Sequence, residues 1–461
     1  MTRTPKAKPP KAKNVKARAL TRAALLSTPL LAVLLAGCDT MNDWFGKTPE
    51  PPLPGQRVAV LTRERKLEVD PRIADTAVTL PPAVANAAWA QAGGTPDHNL
   101  GHLALSANPA EAWRGDIGSG SSSSRMLLST PVVADGKIFA MDADSHVAAL
   151  DEKGGRQLWR VDTKPENERG GASGGGVAYA DGRVFAATGF AEVLALDPAN
   201  GNVIWRKRVP GPVRGAPTVD GGRVYVLTLD NQLAALSATD GAIQWTHQGI
   251  LETAGLLGAV SPAATSTLVV APYSSGELYG LRPENGRVAW QESLAAVRRA
   301  GALSSLADIR GLPVIDRGIV YAIGHSGRTV AIDERIGVRV WEAEIGGTQT
   351  PWLAGDYLYV VTNDSEVVAM SRQAGRIRWV TPLDRFKDME DKKGPITWSG
   401  PVLAGGKLYV TGSHGQMLAL SPGDGQIVTR YSLQSGSYLP PIVANNTLYV
   451  LGDNGTLVAY R

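Results

Sequence analysis

Few residues in this chain have the type and spacing to do chemistry. The one cysteine, Cys38, ends the run Leu35-Ala36-Gly37-Cys38. Small residues before a cysteine at the close of an apolar stretch form a lipobox. The thiol is diacylated, cleavage falls before it, and Cys38 becomes the first residue of a lipoprotein. Gly171-Ala172-Ser173-Gly174-Gly175 has the G-x-S-x-G spelling of a nucleophile elbow. That chemistry needs a strand–turn–helix setting, whereas this stretch is a glycine-rich entry to a strand. His98 and His102 stand four apart, but in a Gly/Asn-rich loop, and no Glu follows His98 as a zinc-hydrolase helix requires. The serine run at 119–124 suits solvent rather than a phosphate. A single cysteine excludes an intrachain disulfide framework and any Cys-rich metal site. No catalytic residue, metal ligand or cofactor is assigned.

The elements around Cys38 support its reading. The stretch 3–22 is basic, and 23–37 is an apolar run too short and too Pro-interrupted for a membrane span. Residues 1–37 therefore read as a lipoprotein signal peptide. They hold eight Lys/Arg and no Asp or Glu, so their removal takes the net charge from +4 to 4 − 8 = −4. A mildly acidic mature chain has no electrostatic footing for nucleic acid. Acyl chains such as palmitate on Cys38 would anchor it, each buried CH₂ contributing about 0.8 kcal/mol. Residues 38–85 carry Pro49, Pro51, Pro52, Pro54, Pro71, Pro81 and Pro82 without helical or strand period. They read as a flexible tether with a span of roughly 40 Å. Trp44-Phe45 within it either dips into the membrane interface or stays solvated.

The remainder, 86–461, is one pattern written eight times. A G-x-hydrophobic-Tyr/Phe-hydrophobic strand leads to an x-V/L-x-A-L strand, a Gly turn, and a strand ending in Trp. The copies span 135–159, 181–205, 221–245, 265–290, 316–341, 355–379 and 405–429, with a shortened eighth at 445–461. Trp113, Trp159, Trp205, Trp245, Trp290, Trp341 and Trp379 recur 38 to 51 residues apart, and Thr429 takes the next position. Four short strands per repeat with Gly-rich turns spell an all-β, eight-bladed β-propeller of four-stranded antiparallel blades. The eighth repeat lacks its last strand, and 111–118 supplies an orphan strand with Trp113 in register. An N-terminal strand completing the last blade closes the ring and removes an open sheet edge. Strands apolar on both faces, such as Val224-Tyr225-Val226-Leu227, fit sheets sandwiched between neighbours. Turns such as Asn200-Gly201 and Asp240-Gly241 supply positive φ.

The segment ALDPANGNVIW, 195–205, resembles the tryptophan-docking motif of pyrroloquinoline-quinone (PQQ) repeat propellers. Lipobox, tether, length and eight repeats together resemble the BamB family within that group, over roughly 35–461. The resemblance implies a non-catalytic lipoprotein scaffold of the outer-membrane β-barrel assembly (BAM) complex. It implies binding to the periplasmic POTRA domains of BamA, association with other BAM subunits, and help in folding and inserting unfolded outer-membrane proteins. It also implies a place at the periplasmic face of the outer membrane, although Asp39 directly after Cys38 favours inner-membrane retention in some enteric bacteria. The docking tryptophans would be structural. The alternatives are a PQQ-dependent dehydrogenase and a cell-wall glycan-binding propeller. The dehydrogenases usually carry a vicinal disulfide over the quinone, which a chain whose one cysteine is Cys38 cannot form.

Two connections break the repeat: 246–264 and 291–315. Both put Leu, Ala and charge where the other repeats have turns, and long loops on a rigid ring are recognition surfaces. The second is expected to hold a short helix over 294–306. The resemblance places BamA contacts here, at Leu256, Leu257 and Asp308, with Arg310 standing where a second acid is expected and Leu257 where the family has an arginine.

Overall fold

The computed structural model describes residues 67–461 apart from 253–255, 257 and 296–306. Cys38, Trp44, Phe45, Leu257 and most of the helix expected over 294–306 lie outside the described residues. Every regular element among the described residues is a strand, and all of β1 to β34 except the pair β26 (Phe386–Asp388) and β27 (Lys393–Pro395) build eight four-stranded antiparallel sheets. Blades one to seven span 132–162 (β2–β5), 175–208 (β6–β9), 218–248 (β10–β13), 263–293 (β14–β17), 314–343 (β18–β21), 352–382 (β22–β25) and 398–432 (β28–β31). Blade eight holds β32 (Ile442–Ala444), β33 (Thr447–Leu451) and β34 (Thr456–Tyr460), and its fourth strand is β1 (Glu111–Asp116). Trp113 of β1 lies opposite Ala459. The expected eight-bladed ring with N-terminal closure is the observed fold. A small hairpin, Phe386–Asp388 with Lys393–Pro395, sits between blades six and seven and was not announced by the repeat.

Turn chemistry sets the hairpins. Between the first two strands of blade one, Asp135 and Gly136 both have positive φ, 50° and 69°. Two consecutive positive φ values match the twist of a two-residue hairpin. Gly201 and Gly241, in the turns before each blade's fourth strand, need positive φ for a second reason. The ring of the previous blade's tryptophan covers each of them, so a Cβ at Gly201 would meet Trp159 at 2.8 Å.

That contact repeats around the ring. Trp159, Trp205, Trp245, Trp290, Trp341 and Trp379 each donate their indole N–H to a carbonyl of the following blade, at Pro198, Ala238, Pro283, Glu334, Arg372 and Pro422. Within its own blade most of these rings lean on an aromatic of the second strand, as Trp205 does on Phe185 and Trp245 on Tyr225, with centroids 6.0 and 5.9 Å apart. Trp290 instead covers Gly280, where a Cβ would meet the indole at 2.2 Å. Trp113 docks on Gly155 of blade one. In blade seven, where Thr429 replaces Trp, Tyr431 reaches Tyr460 of blade eight at 6.3 Å. The core is thus a ring of apolar layers between sheets, for example Phe185, Val193, Val224, Val226 and Leu236 between blades two and three.

The flexible tether expected over 38–85 is corrected at its C-terminal end. Residues 67–85 lie along the propeller. Asp70 gives its N–H to Ile377 at 2.9 Å, Arg378 donates to the Thr76 carbonyl at 3.0 Å, and Val78 and Leu80 pack on the core. Proline here shapes a strap whose backbone groups bond outward. It has no side-chain period, which is why its pattern reads as coil.

The chain then circles the axis. Asn86 bonds Val443 and Asn445 of blade eight, and Trp89 bridges Val133 of blade one. The Ala90 carbonyl takes the N–H of Tyr179 in blade two, and the Gln91 amide pairs with both backbone groups of Val219 in blade three. Pro96 and Asp97 accept from Ala264 and Ile315 of blades four and five. Gly101 accepts from the Trp352 indole of blade six, and Leu103 bonds Leu403 of blade seven. Eighteen residues, 86–103, therefore touch all eight blades in order and cap one end of the central channel. They bond near the turns between first and second strands, so the capped end is opposite the inter-blade connections.

Candidate partner-binding face and central cup

The two long connections are held by buried charge rather than by apolar packing alone. Asp308 is 1% exposed. Its two carboxylate oxygens each lie 2.9 Å from Arg214 Nη2, and Oδ2 also accepts the N–H of Leu256 at 2.8 Å. Arg214 belongs to the connection between blades two and three, Leu256 to that between three and four, and Asp308 to that between four and five. One carboxylate therefore ties three adjacent connections together. Arg310 lies two residues on, its guanidinium across Gly258, where a Cβ would meet Nε at 1.8 Å. Burial pushes the Arg310 pKa down, Asp308 pulls it up, and Arg214 pushes it down. The group holds two cations and one anion, and Arg214 Nη1 has no hydrogen-bond partner among the described residues.

The expected partner contact at Asp308 is therefore corrected: its carboxylate faces inward and organises the loops. Arg310 is half-buried and faces the channel. Leu256 is half-buried beside Asp308. The exposed apolar residues of this face are others. Ile250 and Leu251 are 57% and 67% exposed, and Leu229 in the adjoining turn of blade three is also exposed. The Ile250 backbone is bonded at both its polar groups. Glu277 accepts the Ile250 N–H at 2.9 Å and is held by Gln291 and Tyr279, while Asn231 donates to the Ile250 carbonyl at 2.7 Å. The sequence carried a signal for this pair, since Ile250-Leu251 interrupts a segment where other repeats have turns.

The remaining candidates are structural links. The Ser173 hydroxyl lies 3.5 Å from the Ser124 carbonyl, with no histidine bonded to it. His98 is buried, its Nδ1 2.7 Å from the Pro313 carbonyl, and burial lowers its pKa to about 4. His102 spans the Pro81 carbonyl and the Gly406 N–H. Ser119 donates to Asp144 at 2.6 Å. Among the described residues no three His, Cys, Asp or Glu side chains could hold a metal ion.

The channel itself is a cup. The 86–103 segment closes one end with Trp89, Gly93 and His98, and the mouth opens among the inter-blade connections. The space is about 860 Å³ counting the open mouth. Arg310, Leu312, Thr348 and Leu439 are among the residues of its wall.

Comparison with known proteins agrees with this architecture. A family model for outer membrane protein assembly factor BamB matches residues 103–173, 143–381 and 385–461. The chain is 27% identical over 359 residues to the outer membrane protein assembly factor BamB of Yersinia pestis, covering 77% of this chain and 89% of that one. It is 31% identical to that of Alkalilimnicola ehrlichii, covering 76% and 87%. The crystal structure of BamB from Moraxella catarrhalis superposes with a TM-score of 0.66 at 20% identity, over 77% of this chain and all of that one. The quinohemoprotein alcohol dehydrogenase of Comamonas testosteroni superposes at 0.63 and 14% identity, over 82% and 81%, a likeness of fold alone. With the repeat, the ring closure and a family match across most of the propeller in agreement, this chain belongs to the outer membrane protein assembly factor BamB family.

Proposed function

We propose that the chain is a non-catalytic scaffold of the BAM complex, anchored by lipid on Cys38 at the periplasmic face of the outer membrane. The face carrying the inter-blade connections binds BamA POTRA domains, and the rigid ring orients them while outer-membrane proteins fold and insert. The relatives bear the name of an assembly factor. The observation that carries the reading is the exposed pair Ile250 and Leu251, with the Ile250 backbone held by Glu277 and Asn231. Aliphatic side chains on preordered backbone bind without a large ordering cost.

Affinity purification of the tagged mature lipoprotein from detergent-solubilised envelopes tests it. BamA is expected to co-purify with the natural chain and to be lost when Ile250 and Leu251 are both changed to Glu. Recovery of BamA with both chains moves the contact elsewhere on the propeller. Its absence from both, under conditions that preserve the complex, sinks the scaffold reading.

A further inference from the structure

The fourth strand of each blade is an edge of its sheet, and blade six shows what such an edge can hold. The strap lies on it. The Asp70 N–H bonds the Ile377 carbonyl at 2.9 Å, and Leu67 packs on the cluster that includes Trp341 and Ile377. Arginines flank Ile377 in sequence. Arg376 reaches the Asp70 carboxylate at 3.7 Å, and Arg378 donates to the Thr76 carbonyl at 3.0 Å. The occupant is a peptide segment with no sheet of its own, bonded through its backbone and matched in charge to a flanking residue.

Blade five repeats this edge with its chemistry changed. Counted from the turn glycines Gly337 and Gly375, residues 338–340 correspond to 376–378. Arg339 lies opposite Ile332 as Ile377 lies opposite Met370, with the same register shift one residue on. The Arg339 carbonyl therefore takes the place of the Ile377 carbonyl, and among the described residues it accepts no backbone bond from outside its blade. Its guanidinium turns aside to Glu292 of blade four, at 2.6 Å. The flanking positions are Val338 and Val340, 58% and 53% exposed, with Ile336 ahead of the glycine at 54%. Every other fourth strand led by such a glycine has a polar residue at one flank or both, as Asn202 stands beside Val203 and Gln244 beside Ile243.

A bare edge lined with aliphatic side chains is a pairing site, which sheets otherwise guard with charge. Strand addition draws affinity from backbone bonds and specificity from alternate side chains. We infer that the outer edge of blade five binds, by strand addition, an extended peptide segment of a partner that alternates aliphatic and polar residues. Its backbone pairs along Arg339, and its aliphatic side chains rest on Val338 and Val340, where blade six sets arginine against the strap. The inference is independent of the scaffold reading, since it uses the rim of the ring and not the inter-blade connections.

The test follows the fluorescence anisotropy of a short labelled peptide that alternates valine and threonine between terminal lysines. The protein is the mature chain carrying Cys38→Ser, which keeps every propeller residue and, without acyl chains, needs no detergent. Saturable binding is expected. A fully N-methylated peptide, which has no backbone donor, and a peptide with serine in place of valine are each expected to bind at least about tenfold more weakly. The double variant Val338→Arg, Val340→Arg gives blade five the flanks of blade six. With its fold checked by melting, it should lose about tenfold or more in affinity for the valine peptide and gain affinity for one with glutamate in place of valine. Hydrogen exchange is the second readout: the valine peptide should protect amides within 339–343 of the chain with natural flanks. No saturable binding, equal binding by the double variant, or protection confined to another blade overturns the inference. Dimers that the double variant abolishes, without peptide binding, assign the edge to a second copy and overturn it too. The assay contains no BamA, so either reading can fail without the other.

Discussion

Arg214 and Asp308, 94 residues apart, meet through one nitrogen: Arg214 Nη2 lies 2.9 Å from both carboxylate oxygens, with side chains 2% and 1% exposed. The pair joins connections from blades that are not neighbours, and the Leu256 N–H completes it. Removing one partner of a buried pair leaves an uncompensated charge. Asp308→Ala is expected to cost about 3–5 kcal/mol. The triple variant Arg214→Met, Asp308→Leu, Arg310→Met should regain part of that loss, because none of the three charges of the cluster is then stranded. Denaturant midpoints measure both, and faster hydrogen exchange at Leu256 would show the loops loosening. Equal midpoints for Asp308→Ala and the natural chain would mean that the pair does not organise this face.

The tryptophan contact gives a test internal to the repeat. Gly201 and Gly222 have nearly the same φ, 77° and 74°. A Cβ at Gly201 meets the Trp159 ring at 2.8 Å, whereas at Gly222 it meets nothing within 4 Å. Gly222→Ala is expected to cost roughly 1 kcal/mol for the left-handed backbone alone. Gly201→Ala carries the same cost and about 1–3 kcal/mol more for displaced packing. The difference between the two unfolding free energies isolates the docking contribution.

Anchoring follows from one residue. Cys38→Ser removes the proposed acylation site, and with it the membrane affinity that several acyl chains confer. The variant is expected to leave the membrane pellet in fractionated cells while the natural chain stays in it. A variant that still sediments with membranes would move the anchor elsewhere.

The ring was legible because its grammar is local. Each Trp at the end of a fourth strand, each Gly before that strand and each Ala-Leu pair repeats at a spacing that shows without structure, and Trp113 revealed the closing strand. The strap at 67–85 and the ring of contacts at 86–103 were not legible. Their bonds run from backbone groups to eight different blades, as with Ala90 to Tyr179, and leave no period. Trp89 and Trp352 fall outside the docking register for the same reason. Asp308 was found by position but assigned the wrong direction. A charged loop residue usually faces solvent, and its partner Arg214 lies two connections away, where spacing says nothing.

His98 makes the cap sensitive to acid. Burial lowers its pKa from 6.5 to about 4, and the bond to the Pro313 carbonyl opposes that shift only in part. Above pH 6.5 the ring is neutral in both folded and unfolded chains, and it contributes no pH dependence. As the pH falls below 6.5 the unfolded chain takes up a proton that the folded chain refuses, so stability declines until about pH 4. The gap between the two values corresponds to about 3 kcal/mol. His98→Gln, which keeps a donor for the Pro313 carbonyl and does not titrate, should lose that part of the slope. The unfolding free energies of the two chains should therefore converge as the pH is lowered from 7 to 4. Parallel curves for natural chain and variant would show that His98 titrates in the folded chain as it does in the unfolded one, and that the cap admits charge.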